Sequence, residues 1–103
     1  MSIVSDVMQD ELKRNLEMQI AYNKEITSLP KGTIISKKIR NREYLYLLYR
    51  ADGKVRTDYI GSKEKVLIDD IQKKIDKRKY YQTTLKKLLK EEQEIRRVLK
   101  YLS

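Results

Sequence analysis

TIISKKIRNREYLYLLYRADGKVRTDYI, residues 33–60, decides the fold. Ile, Val, Tyr and Thr dominate it, the β-branched and aromatic side chains that suit a pleated, half-buried surface. Two turn signals divide it. Arg40-Asn41 fits a tight hairpin turn, because Asn tolerates positive φ. Ala51-Asp52-Gly53 fits a three-residue turn with Gly53 in the left-handed position of a bulge. The stretch is therefore predicted to form a three-stranded antiparallel meander over 33–39, 43–50 and 54–60.

A three-residue turn sets Arg50 opposite Lys54 and Tyr49 opposite Val55. Leu45, Leu47, Tyr49, Val55, Thr57 and Tyr59 then share one face, expected to be the core face. Tyr44, Tyr46, Leu48, Arg50, Lys54, Arg56 and Asp58 share the other. A slip of one residue would exchange the faces of a strand.

Outward from the sheet the chain reads as helix on both sides. Residues 5–28 contain no Gly or Pro and place Met8, Leu12, Leu16 and Ile20 at i, i+4 spacing. Ser5 is the expected N-cap, with Asp6 in the first turn where the helix dipole favours negative charge. Leu29-Pro30-Lys31-Gly32 ends this helix. Residues 62–102 are helical again, with Gly61-Ser62 as break and N-cap. They form one long helix, or two consecutive helices broken near residues 78–82. The fold class is α+β in a single domain over residues 1–103.

Lys and Arg number 24 against 15 acids, for a net charge of +9. The excess is uneven. Residues 1–29 carry three cations and five acids, residues 30–65 ten and four, residues 66–103 eleven and six. A positive field of this kind attracts polyanions. There is no Cys and no His, which removes disulfides, thiolate chemistry and the usual general base and metal ligand. The adjacent Asp69 and Asp70 diverge on a helix, and Glu91, Glu92 and Glu94 sit among cations. The reading is a binding protein and no enzyme, with no metal and no cofactor. The start lacks the basic region and apolar run of a signal peptide. No apolar stretch reaches membrane-spanning length, so the expected compartment is the cytoplasm.

Two surfaces are candidates for binding. On the sheet, Lys37, Lys38, Arg40, Arg42, Arg50, Lys54 and Arg56 offer charge to phosphates, with Tyr44 and Tyr46 beside them for bases or sugars. The plainer reading makes these tyrosines packing residues and the cations guards of a sheet edge. On the C-terminal helix, Tyr81, Leu85, Leu88, Ile95, Leu99 and Leu102 form a coiled-coil-like stripe. Without a cover from this chain, that stripe implies a homodimer or a protein partner.

The runs Leu29-Pro30-Lys31-Gly32-Thr33-Ile34, Tyr44-Leu45-Tyr46-Leu47-Leu48-Tyr49-Arg50, Gly53-Lys54-Val55-Arg56 and Tyr59-Ile60-Gly61 resemble a group of small prokaryotic proteins of unknown function. Those proteins share an LPxG start, a tyrosine-rich strand ending in YR, a GK turn and a YIG end. The resemblance covers residues 29–61 and a charged C-terminal helix, and implies no activity. Tyr49, Arg50, Gly53 and Lys54 are also similar to the Y-R-x-x-G-K hairpin of the arm DNA-binding domains of tyrosine recombinases. That likeness implies a sheet used in the major groove. Here a long helix precedes the sheet, and no catalytic domain follows within these residues.

The sequence thus predicts a small nucleic-acid-binding accessory or regulatory protein of a phage or mobile element, with DNA favoured over RNA. The alternative is a protein-binding module, such as an antitoxin or an anti-CRISPR inhibitor of a nucleic-acid enzyme, acting through its C-terminal helix and basic surface.

Overall fold

Arg40 and Asn41 take φ of 50° and 68°, and Asp52 and Gly53 take 54° and 74°. Two successive left-handed residues make a type I′ turn, whose twist matches that of the strands it joins. Both hairpins of the sheet are therefore tight two-residue hairpins. The computed structural model describes residues 2–103. Its elements are α1 (Ile3–Ser28), β1 (Thr33–Ile39), β2 (Arg42–Ala51), β3 (Lys54–Ser62) and α2 (Ile68–Leu102). The sheet is antiparallel in the order β1-β2-β3. The predicted α+β class, with helix, three-stranded meander and helix, is the observed architecture.

The second turn corrects the predicted register. Asp52 and Gly53 alone make it, so Ala51 pairs with Lys54 and Arg50 with Val55. Ala51 belongs to β2 and not to the predicted turn, and that one residue moves every β3 side chain to the opposite face. Val55, Thr57 and Tyr59 leave the predicted core face. Lys54, Arg56 and Asp58 leave the predicted binding face. Farther along, Tyr46 pairs with Tyr59 but Leu45 pairs with Gly61, so Ile60 is the extra residue of a β-bulge.

The chain forms two compact units. One holds residues up to Ser28 with Lys79–Ser103, and the other holds Leu29–Arg78. In the second unit the buried apolar side chains are Leu45, central in β2, and Ile75, on α2. Arg78 donates a guanidinium hydrogen bond to the Leu29 carbonyl, which fastens the segment ahead of β1. The expected helix start at Ser62 is replaced by a later one. Ser62 ends β3, and its carbonyl accepts the Lys65 and Val66 N–H groups in a tight turn. The helix then begins at Ile68 with Asp69 and Asp70 in its first turn, where the dipole favours them. It runs unbroken through residues 78–82. Thr83 and Thr84 are accommodated there by donating to the Lys79 and Tyr80 carbonyls one turn back.

In the first unit, α1 and the C-terminal part of α2 pair antiparallel. The N-cap is Ser2 and not Ser5, since the Ser2 hydroxyl accepts the Ser5 N–H at 3.0 Å. The i, i+4 stripe also needs correction. Repeated steps of four drift from a 3.6-residue period, so Ile20 stands about 120° from Met8 and is 71% exposed. The covered line alternates steps of four and three: Met8, Leu12, Asn15, Gln19, Tyr22, Ile26. Opposite it, Leu88 and Ile95 are buried, and Leu85 and Leu99 are half-buried. The Tyr81 ring meets Tyr22 edge-on at 5.2 Å. Most of the stripe expected to need a partner is thus covered by α1. Leu102 alone of that set is exposed.

The centre of this pairing is polar. Asn15 is 1% exposed. Its amide donates to the Leu88 carbonyl at 2.9 Å and to Glu91 at 3.2 Å. Gln19 donates to the Asn15 oxygen and to Glu92, each at 2.7 Å, and Arg96 donates to Glu92 at 2.7 Å. Removing one member of a buried network loses its bonds and leaves a gap. Asn15→Ala is therefore expected to destabilise the fold by about 2 kcal/mol, read as a lower thermal midpoint. An unchanged midpoint would show that the network is incidental.

Glu92 carries a pH signature. Hydrogen bonds from Gln19, then from Arg96, hold its carboxyl below the ordinary value of 4.5. A depressed folded pKa contributes stability above the unfolded pKa, and that stability is lost as pH falls through the folded value. Wild-type melting temperature is expected to fall below about pH 4.5, and Glu92→Gln to flatten part of that acid limb. Parallel melts at neutral and acid pH check this. An equal acid drop in both proteins contradicts it.

Candidate nucleic-acid interface

The corrected register sorts the charges of the sheet. On one face β1 contributes Thr33, Ile35, Lys37 and Ile39. β2 contributes Arg42, Tyr44, Tyr46, Leu48 and Arg50, and β3 contributes Val55, Thr57 and Tyr59. Lys37, Arg42 and Arg50 are the charged residues in this set, so the face carries cations and no carboxylate. It is also open: Val55 is 60% exposed and Tyr59 61%. The opposite face holds buried Leu45 and both signs of charge, with Lys38, Glu43, Lys54, Arg56 and Asp58 in its register positions.

The tyrosines of the open face form a cluster. The Tyr46 and Tyr59 rings lie 5.5 Å apart at 60°, and Tyr44 lies 6.3 Å from Tyr59. The Lys37 ammonium sits 4.7 Å from the Tyr46 ring centroid, a cation–π distance. Cross-strand pairing makes this arrangement. Tyr46 and Tyr59 are direct partners, and Tyr44 is one pleat further along the same face.

Part of the charge of the opposite face is held in internal contacts. Lys63 bridges Glu43 at 2.7 Å and holds its carboxyl below the usual range, through the hydrogen bond first and the ammonium charge second. The Tyr49 hydroxyl is hydrogen-bonded to Asp58, which raises the Tyr49 pKa above its ordinary value. Lys31 lies over the Tyr49 ring at 5.7 Å.

A family model described as a domain of unknown function, DUF6788, matches residues 8–73. The chain belongs to the DUF6788 family. No curated protein and no solved structure matches it. The DUF6788 match takes in the whole sheet, including every residue of the open face, and most of α1.

Within this DUF6788 domain the sequence-predicted site divides. Lys37, Arg42, Tyr44, Tyr46 and Arg50 come together on the open face. Lys38, Lys54 and Arg56 stand on the other, and Arg40 sits at the tip of the first turn. Tyr59 was missed as a site residue. The Asp52-Gly53 pair fits a type I′ turn without Ala51 as well as the three-residue turn, and the two place Tyr59 on opposite faces. No helix among the described residues is long and apolar enough to cross a membrane.

Proposed function

We propose that the chain is a small basic nucleic-acid-binding protein that holds a single strand on the open sheet face. The observation behind this reading is the register, which gathers Tyr44, Tyr46 and Tyr59 with Lys37, Arg42 and Arg50 and leaves carboxylates on the other side. Tyr59 is exposed and Tyr44 and Tyr46 are half-buried; aromatic rings on such a face stack on unpaired bases irrespective of sequence, and flanking cations follow the phosphates. The role is binding, in an accessory or regulatory capacity, and the chemistry of the face asks for no catalytic group. The alternative of a protein-binding module acting through the C-terminal helix is weaker, because Leu88 and Ile95 are interior residues.

Fluorescence anisotropy with labelled random single strands and duplexes tests the reading. Micromolar binding is expected at low salt, with the single strand preferred. Engagement of about three phosphates gives a slope of log K against log salt near −2, at about −0.7 per contact on a single strand. No binding at low salt, or a flat salt response, would rule the proposal out.

A further inference from the structure

The tyrosine cluster ends at a cleft. Tyr44 and Tyr59 line an open cavity of about 1090 Å³, together with the end of the first hairpin and the loop that follows β3. That loop is built, not slack. The Lys63 N–H donates to the Glu43 carbonyl at 3.0 Å, and the Lys65 and Val66 N–H groups both donate to the Ser62 carbonyl. Gly61 allows the loop to fold this closely, since a Cβ there would lie 2.6 Å from Val66 Cγ2. Lys38, Arg42 and Lys65 line the same cavity. Of its two carboxylates, Glu43 is engaged by Lys63 and Glu64 remains.

We propose that this cleft is a nucleotide site, with the base against Tyr44 and Tyr59 and the phosphate held by Arg42, Lys38 and Lys65. The inference rests on the nucleic-acid reading of the open face and deepens it. An aromatic pair and a cluster of cations lining one cavity match the two ends of a nucleoside monophosphate. The volume, at the top of the usual range of small-molecule sites, has room for base, sugar and phosphate. The nucleotide is either free or one unit of a strand that continues over Tyr46.

Amide chemical-shift mapping on the isotope-labelled full chain tests this, with AMP, adenosine, inorganic phosphate and a short oligothymidylate as probes. AMP or the strand is expected to move the amides of residues 42–44 and 59–66, and Lys65→Glu to weaken that response at least ~10-fold. Movement by AMP marks a free-nucleotide site, and movement by the strand alone marks a strand site. Adenosine and phosphate separately are expected to bind at least ~10-fold more weakly than AMP. The inference falls if AMP and adenosine bind equally. It also falls if the strand shifts the Tyr46 and Arg50 amides and leaves the cleft unmoved, an outcome in which the reading of the open face survives. If no probe moves any amide, both fall.

Discussion

Gly32→Ala is expected to destabilise the fold by about 3 kcal/mol or more, a large share of the margin of a small protein. Gly32 has φ of 116°, a conformation that L side chains rarely adopt. A Cβ at this position would lie 2.2 Å from the Leu48 carbonyl oxygen and 3.0 Å from Tyr49 Cβ. The obstruction is backbone, in the central strand, so no rotamer change relieves it. Either β1 leaves β2 or the chain entering β1 must be rebuilt. Gly53 provides the comparison. Its φ is 74°, and a Cβ there meets nothing within 4 Å. Gly53→Ala therefore carries only the left-handed penalty, about 1–2 kcal/mol. Thermal melts of the two variants separate the effects. A drop on the order of 15 °C is expected for Gly32→Ala and clearly less for Gly53→Ala. Equal drops would mean that the Gly32 contact is not the constraint described.

Much of this fold was legible from punctuation. Pro30 and Gly32 mark the end of α1, and Asn41 and the Asp52-Gly53 pair mark the hairpins. The intervening composition separates helix from strand. What escaped the reading has physical causes. A turn of two residues and a turn of three use the same Asp-Gly pair, and only φ at Asp52 distinguishes them. That ambiguity placed Tyr59 in the core and Lys54 and Arg56 at the site. The bulge at Ile60 has no local signal, because it arises from pairing with β2. Asn15 and Gln19 fall outside any apolar periodicity, since they occupy covered helix positions with polar side chains. Counting only Met8, Leu12, Leu16 and Ile20 then led the stripe around the helix and away from its partner. For the same reason the C-terminal leucines looked uncovered, although α1 carries their cover at a different spacing.

The second large effect concerns the open face. Exchanging Lys37, Arg42 and Arg50 for Glu is expected to lower single-strand affinity at least ~100-fold, because each exchange removes a phosphate contact and adds a repulsion. All three are exposed, so the fold should persist. Net charge alone would also weaken binding, and a matched control removes that ambiguity. Lys31→Glu, Lys54→Glu and Arg56→Glu make the same change in net charge at exposed positions. Lys54 and Arg56 lie on the Tyr49 face, and Lys31 stacks over the Tyr49 ring. At physiological salt the screening length is about 8 Å, so charges across the sheet contribute little to a strand on the open face. The decisive measurement is single-strand anisotropy of the two charge-matched triple variants at that salt, with circular dichroism confirming the fold of each. Loss of binding is expected in the Lys37/Arg42/Arg50 variant and near wild-type affinity in the Lys31/Lys54/Arg56 variant. Equal losses in both would mean that overall charge governs binding and that the open face is no site.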